Sequence, residues 1–143
     1  MDGSFSNPRV RRMNVRDLEE CLARCEAIFK ETWPRMDGPA MLAACVENID
    51  NPSVLMVRTD NAFGVATAES SIFEPRLWVK EQWVFSDSKT VQPLRIYRAM
   101  IAWGREIGAF RFTFGSLTAY NLDVFAKRLG HHAMHKTYTY SLE

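Results

Sequence analysis

Apolar positions recur with two different periods along this chain, and the switches between them mark out its elements. Val10-Arg11-Arg12-Met13 reads as a first strand, behind a Gly/Ser/Asn/Pro stretch over residues 1–8 that reads as a loose tail. From Val15 onward, Leu18, Leu22, Cys25, Ile28 and Phe29 recur at three and four residues, the stripe of an amphipathic helix, and Asn14 is placed to cap it. The stripe ends at Trp33, ahead of Pro34. Asp37-Gly38-Pro39 starts a second helix with Met41, Leu42, Cys45, Val46 and Ile49 on its inner side, and Asn51-Pro52 breaks it. The period then shortens to two. Val54–Val57 and Phe63–Ser71 form a hairpin around a tight turn at Asp60-Asn61.

The second half repeats the alternation on a larger scale. Leu77–Phe85 predicts a long strand with Leu77, Val79, Glu81, Trp83 and Phe85 on one side and Trp78, Lys80, Gln82 and Val84 on the other. Glu81 thus shares a face with large apolar residues, where a carboxylate is either a rim group, paired with Lys80 or an arginine, or a group of raised pKa. A polar turn, Ser86–Thr90, leads into a helix capped by Ser88 or Thr90, with Pro93 in its first turn. Leu94, Tyr97, Met100 or Ile101, Gly104 and Ile107 trace its inward stripe, and Gly108 stops it. Arg111–Phe114 is the next strand, Asn121–Leu129 a short helix closed by Gly130, and His131–Leu142 a final strand or hairpin with Tyr138 and Tyr140 on one face. The order is strand, two helices, three strands, helix, strand, helix, strand: an α/β chain whose strand–turn–helix can offer free backbone N–H groups to an anion.

Composition narrows the function classes. The 143 residues suit one domain, spanning 9–143, and no composition shift or internal repeat divides it. A formal net charge of +1 gives no reason to expect bulk nucleic-acid or membrane binding, and Arg9, Arg11, Arg12 and Arg16 read as a solvated N-terminal edge. No run of 18 apolar residues and no apolar leader segment is present. Cys21, Cys25 and Cys45 read as reduced thiols packed against helices, which implies a cytoplasmic setting. His131, His132 and His135 raise the question of a metal. On a strand, His131 and His135 would lie roughly 13 Å apart on one face, too far to share an ion, so no metal site is assigned.

The element order, with the segments Trp83–Gly108 and Phe125–His131, resembles the GNAT superfamily of acyl-CoA-dependent N-acyltransferases. The resemblance covers nearly the whole chain in order of elements, and Phe125-Ala126-Lys127-Arg128-Leu129-Gly130-His131 is similar to the family's aromatic-x-Lys-x-Leu-Gly-aromatic helix ending. It implies a mixed, mostly antiparallel sheet flanked by about four helices, with the fourth strand splayed from the fifth. Acetyl-CoA is the implied cosubstrate. Trp83, Val84 and Phe85 would pair with its pantetheine arm, and Ser88, Lys89, Thr90 and Val91 would hold its pyrophosphate. Asn121 would approach it from the helix that follows, two residues later than the family's usual asparagine. Several members place a glutamate on this strand near the splay, which makes Glu81 the candidate general base, and Tyr120 or Tyr138 could supply an acid.

The chain also departs from the family's pattern. Its turn usually carries a Gln or Arg and then two glycines, whereas Ser86–Pro93 contains none, and Ala126 stands where many members have a tyrosine that protonates the CoA thiolate. Two function classes follow. The first is an N-acetyltransferase acting on an amine of a small molecule or protein. The second is a GNAT-like protein that has lost catalysis and serves as a structural or binding component, such as a phage virion-associated protein. The enzyme reading ranks first because members with altered glycines or without the tyrosine exist. A homodimer formed through the terminal Tyr138/Tyr140 strand is the expected assembly, if any.

Overall fold

A computed structural model describes residues 9–29, 37–86, 91–115, 122–130 and 142. In chain order they form β1 (Arg11–Arg12), α1 (Val15–Phe29), α2 (Gly38–Asn48), β2 (Val54–Arg58), β3 (Ala62–Glu69), β4 (Trp78–Ser86), α3 (Val91–Glu106), β5 (Arg111–Thr113) and α4 (Leu122–Leu129). The strands make one sheet in the order β1-β2-β3-β4-β5. All neighbours are antiparallel except β4 and β5, which run parallel because α3 carries the chain back across the sheet. The expected final strand over His131–Leu142 lies outside the described residues, apart from the exposed Leu142.

Local chemistry sets the helix ends. Asn14 Oδ1 accepts from the Asp17 N–H at 3.0 Å, and Asp17 Oδ2 accepts from the Asn14 N–H at 2.7 Å. This reciprocal pair satisfies two donors that a helix start leaves open. Asp37 does the same for α2 by accepting from the Ala40 N–H at 3.0 Å, with Pro39 harmless in the first turn. Gly108 and Gly130 each close a helix with φ near +78°, a conformation that costs a residue with a Cβ but not glycine.

Two apolar layers cover the sheet. On one face, Leu18, Cys21 and Cys25 of α1 meet Met56, Phe63, Val65 and Phe85. On the other, Leu94, Ile96, Tyr97, Met100 and Trp103 of α3 meet Leu55, Val57, Ala62, Ala66, Val79 and Val84. Gly64 lets α3 come close, since a Cβ there would fall 2.4 Å from Ile96 Cγ2 and 2.8 Å from Met100 Cε. α2 lies shallower: Leu42, Cys45 and Ile49 touch the first layer, but Val46, expected on the inner side, is exposed.

The strict alternation expected for β4 is corrected by a bulge. Val65 pairs with Trp83 and Ala66 with Glu81, so Gln82 is an extra residue with no register partner on β3. Beyond it the faces swap. Val79 and Val84 are five residues apart yet both lie in the α3 layer, while Phe85 lies in the α1 layer stacked on Phe63 at 5.1 Å. Trp83 and Phe85 therefore do not share a face with Val79 and Glu81.

A buried ionic cluster ties α1 to the sheet. Arg58 leaves β2 beneath the helix, with Nη1 at 2.9 Å from Asp17 Oδ1 and 2.5 Å from Glu20 Oε2, and its guanidinium lies 4.6 Å from the Phe63 ring centroid. Arg11 grips the same Asp17 carboxylate with two bonds of 2.6 and 2.8 Å. Arg11 is thus paired rather than part of a free basic edge. The hydrogen bond from Arg11 outweighs burial and holds the Asp17 carboxyl at about 2.

Two predictions follow from this packing. Asp17→Ala should destabilise by about 3 kcal/mol in urea denaturation, because it leaves Arg58 short of its buried partner and removes a cap. Glu20→Ala should cost under about 1 kcal/mol, since the Glu20 side chain is 42% exposed and Arg58 keeps Asp17. Asp17 has a depressed folded-state pKa, so its contribution is complete above its ordinary value near 3.8 and fades as pH falls toward about 2. Equal urea midpoints for the Asp17 and Glu20 variants would contradict this account. Separately, Gly64→Leu should lower stability by about 1–3 kcal/mol through overpacking against Ile96 and Met100, read as a fall in urea midpoint.

Candidate functional site

The site lies where β4 and β5 part. Their parallel pairing runs through Trp78↔Arg111, Val79↔Phe112 and Lys80↔Thr113 and then stops, although β4 continues to Ser86. Trp78 Nε1 donates to Thr113 Oγ1 at 2.6 Å and pins the paired end. Past Lys80, the edge of β4 turned away from β3 has no strand partner among the described residues. Its main-chain N–H and C=O groups are a template for an extended ligand.

Glu81 stands at the first residue of the parting. Its Oε1 accepts from the Gly115 N–H at 3.2 Å, so the carboxyl reaches across from β4 to the chain just after β5. Ala66, opposite it on β3, belongs to the α3 layer, as does Tyr97 of α3. Tyr97 is fully buried, with the rings of Phe112 and Phe114 at 6.4 and 5.1 Å. Burial in this surrounding pushes the Glu81 carboxyl up to about 7, against opposing hydrogen bonds from the Gly115 N–H and, more weakly, Tyr97. Glu81 Oε2 is buried and has no hydrogen-bond partner among the described residues. Lys80 does not neutralise Glu81. It pairs with Glu69 at 3.2 Å and lies over Trp78, which also gives Glu69 its partner at the paired end of the strands.

The remaining sequence-derived residues divide clearly. Val84 and Phe85 lie on β4 beyond its pairing with β5, and their side chains are core on opposite faces, so only main-chain groups of this stretch could serve a ligand. Trp83 is half-buried, tilted against Phe85 at 5.4 Å. Val91 opens α3. Ser88, Lys89, Thr90, Tyr120 and Asn121, along with Tyr138 and the three histidines, lie outside the described residues. Ala126 is half-buried in α4, whose end packs Leu129 against the α3 layer.

Sequence reasoning missed two partners of Glu81. Tyr97 sat in the inward stripe of its helix, where apolar spacing explains an aromatic ring and says nothing of its hydroxyl. The Gly115 N–H is a main-chain group and leaves no trace in side-chain pattern. The bulge did leave one: Trp83-Val84-Phe85 is an unbroken apolar run at the end of an alternating strand, and alternation alone cannot bury all three.

Other chemistry is weaker. All three cysteines are free, and burial pushes the Cys25 thiol up to about 11 and Cys21 further, so neither is a thiolate nucleophile near neutral pH. Among the described residues, no group of three His, Cys, Asp or Glu could hold a metal ion. No helix among them is long and apolar enough to cross a membrane.

No family model and no curated protein matches the sequence, whereas solved structures match across nearly its whole length. A transcriptional regulator from Bacillus halodurans C-125 has a TM-score of 0.74 at 13% identity, covering 93% of this chain and 98% of that one. The structure of AAC(6')-Iy in complex with the bisubstrate analog CoA-S-monomethyl-acetylneamine has a TM-score of 0.68 at 18% identity, covering 94% and 97%. Glucosamine-6-phosphate N-acetyltransferase from Arabidopsis thaliana has a TM-score of 0.68 at 11% identity, again covering 94% and 97%. Identities this low speak for the fold alone. With its mixed sheet, its parted parallel pair and α3 crossing between them, the chain has the fold of the GNAT acetyltransferases.

Proposed function

We propose that this chain is an acyl-CoA-dependent N-acyltransferase that moves an acetyl group from acetyl-CoA to an amine of a small molecule or protein, with Glu81 as general base. The observation that carries this reading is a carboxyl held at about 7, without a cationic partner among the described residues, at the point where β4 and β5 separate. A base near neutral pKa suits an amine acceptor, which must lose a proton before it can attack. In the proposed reaction Glu81, directly or through a water, takes the ammonium proton. The amine nitrogen then bonds to the thioester carbonyl carbon and the C–S bond breaks. The second nitrogen proton leaves as the amide forms, and CoA departs as the thiol.

Acyl-CoA as cosubstrate draws support from two sides. Among the described residues β4 has no strand partner on its β5 side past Lys80, and main-chain groups there can meet an extended arm. A protein of the same fold holds a CoA bisubstrate analog. The pyrophosphate role proposed for Ser88, Lys89, Thr90 and Val91, and the approach of Asn121, rest on the family resemblance. Tyr120 as the group that protonates the thiolate is a proposal from its residue type, since the family's tyrosine position falls on Ala126. A cytoplasmic setting and a homodimer are likewise proposals, resting on the reduced cysteines and on the terminal aromatic strand.

Titration with acetyl-CoA in a thermal-shift or calorimetric experiment is the direct test, because a ligand of the folded state raises apparent stability by mass action. Absence of any shift at millimolar acetyl-CoA would leave a GNAT-like scaffold without catalysis as the surviving reading. In an active protein, kcat should rise with pH through about 7 and level above it, since the base works only when ionised. Glu81→Gln should cut kcat by about 10²-fold or more and leave the acetyl-CoA affinity nearly unchanged. Full turnover in that variant would remove Glu81 as base.

The same carboxyl leaves a stability signature. Its folded-state pKa is raised, so the native state binds more protons than the unfolded chain between about 4.5 and 7, and stability falls as pH climbs through that window. Glu81→Gln should therefore gain on the order of 2 kcal/mol over the wild type at pH 8 and nothing near pH 4. Parallel urea curves at the two pH values check it.

A further inference from the structure

α3 is buried on more of its circumference than one sheet face requires. Ala99 and Trp103, on a flank turned away from Tyr97, are buried in the same apolar layer, and Leu129 of α4 packs against that layer. One turn before Ala99 on this flank stands Arg95, and three residues earlier Gln92, in the first two turns of the helix. Both are half-buried, whereas Arg98 and Arg105 of the same helix are exposed. Arg95 Nη1 and Gln92 Oε1 are withdrawn from solvent and have no hydrogen-bond partner among the described residues, nor does Arg95 make an ion pair among them. A guanidinium is charged at any physiological pH and carries donors only. Burying one of its N–H groups without an acceptor is costly, and a buried amide oxygen without a donor adds to the cost. Such a pair is suited to a ligand that brings acceptor oxygens to Arg95 and an N–H or O–H to Gln92.

We infer that Arg95, assisted by Gln92, holds the diphosphate of acyl-CoA, the guanidinium donating to phosphate oxygens and the Gln92 carbonyl accepting from a polar hydrogen of the cosubstrate. This deepens the acyltransferase reading and rests on it for the identity of the anion. Two features beside the orphaned pair favour a phosphate here. The pair stands at the end of α3 where helix amides and dipole attract negative charge. An arm laid along β4 from Glu81 to Ser86 ends five residues short of Val91, at that same opening. The planar fork of arginine matches a phosphate with two parallel hydrogen bonds, a match that a point charge cannot make. Ser86–Pro93 lacks the glycines that would let the main chain approach a diphosphate closely. A cationic side chain one turn into the helix takes over that hold.

Calorimetric titration of the whole protein with CoA and with 3′-dephospho-CoA tests this, beside urea denaturation of the ligand-free protein. Arg95→Met keeps the apolar stem and removes the charge. It should raise Kd for both ligands by about tenfold to a hundredfold, the range of one charge-assisted contact, and flatten the salt dependence of binding. Gln92→Ala should raise Kd about two- to tenfold, as for a neutral hydrogen bond. The urea midpoint of ligand-free Arg95→Met should match or exceed that of the wild type, because a buried charge without a partner is removed. An arginine that serves only the fold would lower that midpoint and leave Kd unchanged, which overturns the inference. So does a penalty seen with CoA but absent with 3′-dephospho-CoA, since it moves Arg95 to the ribose phosphate. If Arg95→Met fails to fold, Arg95→Lys, which keeps the charge and loses the fork, should still weaken both ligands about three- to tenfold. Wild-type affinity in that variant overturns the inference as well. Binding by the wild type with no loss in Arg95→Met ends the Arg95 assignment and leaves the acyltransferase reading standing. No binding of CoA by the wild type at millimolar concentration ends both.

Discussion

A sheet can serve two helical layers only if each strand's alternate positions stay in step with their neighbours, and β4 breaks step at Gln82. The consequences run through the molecule. Before the bulge, Val79 and Glu81 face α3; after it, Val84 does, and Phe85 is free to stack on Phe63 beneath α1. Without the extra residue, either Val84 or Phe85 would have to leave its layer. The bulge also falls beside the last paired residue of the β4–β5 ladder, Lys80↔Thr113. Added twist at a bulge helps to carry β4 away from β5, so the packing that completes both cores coincides with the geometry that exposes the strand edge.

Two acidic centres among the described residues, Asp17 and Glu81, show opposite solutions to one problem. Asp17 is surrounded by cations and amides, with Arg11, Arg58 and the Asn14 N–H all donating to it, and it remains ionised across the physiological range. That arrangement fixes α1 on the sheet and leaves the carboxylate nothing further to accept. Glu81 receives one main-chain donor and an aromatic surrounding, which leaves its proton exchangeable near neutrality. A structural carboxylate is satisfied; a reactive one is left short of partners. By that criterion the proposed chemistry sits at the parting of β4 and β5, and the ionic cluster on the other face reads as scaffold.

Much of the fold was legible in the sequence because it is written in side-chain periodicity. The α1 stripe over Leu18–Cys25, the Asn14 cap, the start of α2 at Asp37-Gly38-Pro39, the hairpin at Asp60-Asn61 and the glycine stops at Gly108 and Gly130 are local, and each was placed within a residue or two. Val46 was misassigned because α2 packs at the rim, where a stripe of apolar residues extends past what the neighbour covers. The faces of Trp83, Val84 and Phe85 were misassigned for another reason. A bulge is a two-strand property, set by which residue of β3 each residue of β4 opposes, and one strand's pattern cannot reveal it. Glu81 could be singled out as an acidic residue on an apolar strand. Its Gly115 and Tyr97 partners could not, since one is main chain and the other comes from a helix sixteen residues further on.

The two departures from the family's residues weigh differently once the chemistry is considered. A thiolate is a competent leaving group, with an ordinary thiol pKa of about 8.5, so its expulsion near neutral pH depends little on a dedicated acid. An amine acceptor, by contrast, is protonated at that pH and cannot attack until a base has acted. In the proposed reaction the step that most needs help is therefore the one assigned to Glu81, and Ala126 on α4 removes a convenience rather than a requirement. The glycine-free turn is the more serious departure, because it bears on binding and every later step presupposes a bound thioester. Amides at a helix start can still meet an anion when their residues carry side chains, but the approach is narrower than glycine allows. In the proposed reaction, then, activity would hinge on the hold that β4 and the opening of α3 have on the cosubstrate, more than on the supply of protons at the reacting atoms.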